Sequence, residues 1–190
     1  VMFDRVSDVI ICDKVVVDDF EAGYKTTKYF INIGCRTVAL VTAIDHSSVG
    51  KLRVEGYRKA LEEANIPFDD KLILRLGKED DLEVLLTFLL NYKSIEGIMA
   101  LDEITAVEVL RLIKASGYRV PEDISVIGFT NGKLSRYVSP ALTAVSQHGT
   151  YIGETAAKVL IERIESKEYM DSTTKVIKTS LIVRDSTRRV

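Results

Sequence analysis

The residues of this 190-residue chain that could do chemistry stand just after short apolar runs. Asp18-Asp19 follow Val15–Val17. Asp45-His46-Ser47-Ser48 come a few residues after Thr37–Val41 and Thr42. Gly77-Lys78-Glu79 follow Leu72–Leu76, Asp102-Glu103 follow Gly97–Leu101, and Thr130-Asn131-Gly132 follow Ile124–Phe129. Carboxylates, hydroxyls and amides in such places can hold a polar ligand. Helix capping is the simpler reading of Asp18, Asp19 and Ser48, since these residue types commonly precede helices. It does not explain Arg53, because a cation near a helix N-terminus opposes the helix dipole. Arg53 needs an acceptor, either a nearby carboxylate or a ligand.

Groups equipped for turnover are missing. The chain has no G-x-S-x-G elbow, no phosphate-binding P-loop, and no G-x-G-x-x-G after a strand. His46 and His148 are its two histidines and lie far apart. His46 beside Ser47 is a poor base–nucleophile pair, since loop neighbours rarely meet that geometry. No H-x-x-x-H motif or carboxylate–histidine cluster points to a metal, and no cofactor is implied. Cys12 and Cys35 form no C-x-x-C pair, which fits a reducing, cytoplasmic setting. The pattern is that of a binding site without catalytic residues.

The elements that must position these groups alternate. Val15–Val17 leads to a helix near Phe20–Ile33 with Phe20, Tyr24, Thr27 and Ile31 as its apolar positions. Asp18 and Glu21 resemble a capping box there, and Gly34 ends the helix. Thr37–Val41 leads to a helix near Lys51–Asn65, with Val54, Tyr57, Leu61 and Ala64 on one face. Leu72–Leu76 leads to a helix holding Leu82, Leu85, Leu86 and Leu89. Gly97–Leu101 leads to one with Val107, Leu110 and Ile113, closed by Gly117, and Ile124–Phe129 completes five strands. Such alternation predicts a doubly wound α/β fold with a parallel sheet covered on both faces. Ligands in such folds bind outside the carboxyl ends of the strands.

After Phe129 the rhythm breaks into a connector over Asn131–Pro140, a short strand Leu142–Val145 and a helix near Tyr151–Glu165. A polar stretch Ser166–Thr174 and a last strand Lys175–Val183 follow. These pieces, with the early run Val1–Asp4, read as parts of a second lobe entered and left more than once. The chain opens directly in a strand-like run, which reads as a fragment. Hydrophobic residues make up 46%, charged residues 28%, and the formal net charge is −2. No apolar run approaches the roughly 18 residues that a membrane helix needs, and the charge gives no general attraction to DNA phosphates. Arg184, Arg188 and Arg189 read as a solvated tail.

Two segments carry a family resemblance. Val120-Pro121-Glu122-Asp123-Ile124-Ser125-Val126-Ile127-Gly128-Phe129 resembles the VPxDISVIGFD stretch of lac repressor-like (LacI/GalR) bacterial regulators. Ser139-Pro140-Ala141-Leu142-Thr143-Ala144-Val145 resembles their PxLTTV segment. Val16–Tyr24, Arg53-Val54-Glu55-Gly56-Tyr57 and Phe3-Asp4-Arg5 fit in the family's order. The resemblance implies a periplasmic-binding-protein-like (type I) core of two lobes joined by three crossovers, one lobe nearly complete here and the other mostly missing. Residues 1–7 would be the last strand of the first lobe and residues 8–135 the second, effector-binding lobe. Residues 136–170 would return to the first lobe, and residues 171–190 would cross back to the second.

By the same resemblance Arg53 matches the effector-clamping arginine and Asp4 an acidic cleft residue. Leu101 and Asp102 stand at a ligand-facing pair, and Gln147 at a glutamine near the lobe exit. Thr130 replaces an aspartate that accepts hydrogen bonds from a sugar or purine, and Leu101 replaces a polar residue. Ser47 and Glu79 complete the candidate site from the strand ends. The expected function is the effector-sensing core of a dimeric repressor that reaches operator DNA through a missing N-terminal helix-turn-helix. An exported sugar-binding protein of similar fold, or an α/β enzyme acting on sugars or nucleotides, are the alternatives. Arg53→Ala is expected to weaken effector binding at least tenfold with little loss of stability. The stripe Ile152, Ala156, Val159, Leu160 and Ile164 is expected to lack cover from this chain, since most of the first lobe's sheet is missing.

Overall fold

Runs such as Val38-Ala39-Leu40-Val41 are too apolar to leave either face in water, and the fold buries both. The structure is a computed structural model that describes residues 1–7, 9–44, 46–130, 132–166 and 171–189. Asp45, Asn131 and part of the Ser166–Thr174 stretch lie outside these residues. Strands β3 (Val38–Thr42), β5 (Gly97–Ala100) and β6 (Ser125–Phe129) are buried at every position. They form the middle of a six-stranded sheet of order β4-β3-β5-β6-β7-β9, where β4 is Ile73–Arg75, β7 is Thr143–Ser146 and β9 is Ser180–Ile182. All its pairings are parallel except β7 with β9.

Helices cover both faces of this sheet. On one side α1 (Asp19–Asn32) and α2 (Ser48–Glu63) bring Phe30, Tyr57 and Leu61 onto Val38, Leu40 and Met99. On the other, α3 (Leu82–Tyr92) and α4 (Glu103–Ala115) bring Leu86, Leu89, Val109 and Ile113 onto Ala39, Ile98 and Val126. The doubly wound α/β expectation is met here. The connector after β6 holds a short helix, α5 (Leu134–Tyr137).

A second sheet of three parallel strands, order β1-β2-β8, is built from β1 (Met2–Phe3), β2 (Lys14–Val17) and β8 (Thr174–Ile177). Four expectations are corrected by these two sheets. Val15–Val17 is not the first of five strands in one sheet, so residues 8–135 are not confined to the larger one. Its burial alternates, with Lys14 and Val16 partly exposed, as suits a sheet covered on one face. Leu142–Val145 does not leave the larger sheet but pairs with β6, so only the helix within residues 136–170 packs on the smaller one. The last strand is two strands: β8 ends in one sheet at Ile177 and β9 begins in the other at Ser180. The C-terminal tail is only partly solvated: Ser186 and Thr187 are buried and Arg188 donates to the carbonyls of Pro121 and Glu122, while Arg189 is exposed.

Helix α6 (Gly149–Glu165) packs on the smaller sheet, and its stripe divides. Ile152, Ala156 and Val159 are buried against Val15, Val17 and Ile177 of this same chain. Leu160 and Ile164 remain 47% and 74% exposed. The expectation of an uncovered stripe therefore fails for its first half, where three strands suffice as cover, and holds for its second.

At α1 the capping box forms by half. The Asp18 carboxylate accepts from the Glu21 amide, but the Glu21 side chain turns away to Lys178 and Lys25. The buried face of α1 is Asp19, Ala22, Gly23, Thr26, Thr27 and Phe30 rather than the Phe20–Tyr24–Ile31 line. This rotation follows from how closely α1 meets α2. A Cβ on Gly23 would lie 2.3 Å from the Arg53 carbonyl, and one on Gly56 would lie 2.2 Å from the Phe20 carbonyl. Backbone blocks both positions, so the clash cannot be relieved by a side-chain rotation. Gly56→Ala is therefore expected to destabilise the fold by about 1–3 kcal/mol through overpacking, read by urea denaturation. Unchanged stability would show that α1 and α2 can separate without cost.

Candidate ligand-binding site

One cavity of about 280 Å³ opens where the carboxyl ends of the strands of both sheets converge. Asp4 and Arg5 reach it from the end of β1, and Gln147 from the end of β7. Arg53 comes from α2, with Leu101, Asp102 and Glu103 between β5 and α4. Phe129, Thr130 and Gly132 enter from the end of β6. The position agrees with the rule for open parallel sheets.

Arg53 is the centre of the site, and it is 2% exposed. Its Nε donates to the Asp19 carboxylate at 2.8 Å, and Nη2 lies 2.8 Å from the same oxygen as an ion pair. Nη1 donates to the Leu101 carbonyl at 2.8 Å, and the guanidinium lies over the Phe129 ring at 4.1 Å from its centroid. Burial pushes the Asp19 carboxyl up from its ordinary value, against the opposing pull of Arg53. Burial likewise pushes the Arg53 guanidinium down, against the attraction of Asp19. The acceptor that Arg53 required by its place near a helix N-terminus is thus Asp19, itself buried to 3% exposure.

The other candidates divide by what their polar atoms already do. Asp102 caps α4, accepting from the Thr105 amide and hydroxyl. The Thr130 hydroxyl accepts from the Gly132 amide and shapes the turn after β6. Leu101 contributes its carbonyl to Arg53. Asp4 holds a left-handed backbone, φ 61°, at the cavity edge. The structure therefore gathers Asp4, Arg53, Leu101, Asp102, Thr130 and Gln147 around one cavity.

Ser47 and Glu79 do not line it. The Ser47 side chain caps α2 by accepting from Gly50 and donates to the Ile44 carbonyl, and it has no hydrogen bond to the exposed His46 among the described residues. Glu79 is exposed in the turn after β4, the outermost strand of the six-stranded sheet, too far toward the edge to converge with the central strands. The sequence did not single out Arg5 and Phe129, and it offered Glu103 and Gly132 only as part of strand-end runs. The position of Glu103 at a strand end was the available signal, and the aromatic platform under Arg53 left none.

Residues 27–187 match the model of the periplasmic binding protein-like domain. The chain belongs to that family. It has the core of the lac repressor-like (LacI/GalR) regulators within it, as its relatives show. It is 31% identical over 180 residues to a transcriptional repressor named PurR from Vibrio vulnificus, covering 94% of this chain and 54% of that one. A structure of a LacI family regulator from Enterococcus faecium with bound ribose superposes with TM-score 0.87 and 29% identity, covering 98% of this chain and 70% of that one. A complex of the regulator CelR with cellobiose gives TM-score 0.88 and 28% identity, covering 97% and 57%. The chain thus spans about half the length of the curated relatives it matches. Among the described residues no helix is long and apolar enough to cross a membrane.

The Arg53–Asp19 pair revises the stability expected of Arg53→Ala. Removing one partner of a buried pair strands the other charge and costs about 3–5 kcal/mol. Urea denaturation of Arg53→Ala should show that loss, and Asp19→Asn in the same background should restore part of it. A variant within about 1 kcal/mol of the parent would mean that Asp19 is not held as a charge by Arg53.

Proposed function

We propose that this chain is the effector-sensing core of a bacterial transcription regulator of the LacI/GalR type, binding a sugar-like molecule between its two sheets. The observation that carries the reading is the cavity at the converging strand ends, lined by the buried Arg53. Such an arginine, stacked on an aromatic ring, suits paired hydroxyls. Two structural neighbours support the ligand class, being described with bound ribose and cellobiose. The site residues in this reading are Arg53, Asp4, Asp102, Thr130, Leu101 and Gln147, and the site binds without converting its ligand.

A cavity of about 280 Å³ lies just below the roughly 300–1,000 Å³ usual for ligand pockets, which favours a single sugar ring. Ligand bound to groups from both sheets favours one arrangement of those sheets over others. The regulator is cytoplasmic and homodimeric in this reading, and operator DNA is contacted by a helix-turn-helix headpiece outside residues 1–190. Apolar surface suited to a second copy lies on α4 and α5, where Ile104 is 74%, Leu134 51% and Tyr137 79% exposed.

Calorimetry tests the reading directly. D-ribose and other single-ring sugars are expected to bind and cellobiose to bind more weakly; an absence of heat with every monosaccharide tried would refute it. In gel-shift experiments at moderate salt, residues 1–190 alone are expected to give no specific shift of DNA. A specific shift would place the DNA-reading surface inside this chain.

A further inference from the structure

The three passages of the chain between the sheets are tied to one another by side chains. Strands β2 and β8 lie side by side and end at the paired residues Val17 and Ile177. The next residue of each opens a passage: Asp18 caps α1, and Lys178 starts the link to β9. Lys178 joins the two, its Nζ 2.9 Å from the Asp18 carboxylate and 3.0 Å from that of Glu21. At the start of β9 the Ser180 hydroxyl lies 2.9 Å from Nε2 of His148, in the passage from β7 to α6. Lys178 and Ser180 thus fasten the other two passages to their own, like a belt.

Each tied residue of those two passages stands beside a residue of the site. Asp19, next to Asp18, holds Arg53, and Gln147, next to His148, lines the cavity. His148 keeps a left-handed backbone, φ 55°, which a residue with a side chain holds where its surroundings fix it. Burial pushes the Asp18 carboxyl up, yet the Lys178 ammonium and the Glu21 amide outweigh it and hold the group below its ordinary value. The Lys178 side chain is 66% exposed, so salt reaches this contact. Lys25 also binds Glu21, at 3.0 Å, but from within α1 itself.

We propose that this belt sets the angle between the two sheets, and that Lys178 is the positioning residue through which ionic strength loosens it and, by way of Asp19 and Gln147, reaches the cavity. An exposed ion pair is a weak stabiliser, but weak contacts suit a choice between arrangements that differ little in free energy. The His148–Ser180 contact is not an ion pair, so it persists as the pivot when salt screens Lys178. The belt works without a bound ligand, whatever the effector is.

The test is therefore ligand-free. Backbone amide dipolar couplings in a neutral stretched gel report the orientation of each sheet in wild type, Lys178→Arg and Lys178→Gln. They are measured at low salt and at about 1 M salt, where the Debye length falls to about 3 Å. At low salt the couplings of both sheets in wild type and Lys178→Arg are expected to fit one common orientation. In Lys178→Gln, and in wild type at high salt, those of the smaller sheet should shrink relative to the larger sheet's as the two rock against each other. The amides of Asp19, Arg53 and Gln147 should shift over the wild-type salt titration and much less in Lys178→Gln. Urea unfolding curves confirm that all three proteins are folded. If a common orientation survives in Lys178→Gln, if wild type ignores salt, or if Lys178→Arg behaves as Lys178→Gln does, Lys178 does not set the angle. Sheets that already rock in wild type at low salt would show that there is no belt, and sheets that rock while those three amides stay still would sever it from the cavity.

Discussion

A guanidinium and a carboxylate removed together from water hold the two halves of this site in place. Asp19 opens α1 and Arg53 lies in the second turn of α2, so they meet only where those helices touch. The touching surface is backbone against backbone at Gly23 and Gly56. Once there, the same guanidinium ties the carbonyl that follows β5 and covers the ring that ends β6. One side chain thereby fixes two helices and two strand ends relative to one another. Such a pair need not add net stability over apolar residues of equal size, but neither member can be lost alone. It specifies an arrangement, and the cavity wall is that arrangement.

The opposite wall comes from the smaller sheet. The chain passes between the sheets after β2, after β7 and between β8 and β9. Two of these passages are fastened to each other: Lys178, between β8 and β9, holds Asp18, the cap of α1, at 2.9 Å and Glu21 at 3.0 Å. These are exposed contacts that salt would screen, worth little in stability and easily broken and remade. The contrast with the buried pair is physical. The larger sheet's wall is fastened by a dry ion pair, whereas the junction between the sheets is held by wet ones.

The elements were legible where a single period dominated. The continuous apolar runs of β3, β5 and β6 announced strands buried on both faces, and Gly34 marked the end of α1, where its φ of 94° follows the last turn. Sheet membership was not legible, because the period of Val15–Val17 or Leu142–Val145 reports how a strand is covered and not which strand it pairs with. The rotation of α1 was hidden for a related reason: two glycines pull its buried face away from the larger apolar side chains. In the site, Arg53 could be read as needing an acceptor from its position near a helix start. That the acceptor would be Asp19, some thirty residues earlier, required the helix contact. Ser47 and Glu79 looked equivalent to Asp102 as strand-end residues; the edge position of β4 sets Glu79 apart, and the capping of α2 sets Ser47 apart.

The antiparallel strand β9 and the tail behind it have a consequence for how the chain acquires its structure. The amide of Val126 pairs with the Ser186 carbonyl, Thr143 pairs with Ser186 and Thr187, and Tyr29 donates to the carbonyl of Arg188. Contacts that join earlier residues to those near 188 cannot form on a ribosome until that segment has emerged. Until then β7 presents an unpaired edge, open to pairing with another nascent chain. Long-range pairings of this kind also fold slowly, because loop closure must precede the contacts that reward it. The interval between synthesis of β7 and arrival of β9 is therefore when the molecule is most exposed to misassembly, and the buried hydroxyls of Ser186 and Thr187 are the stitch that ends it.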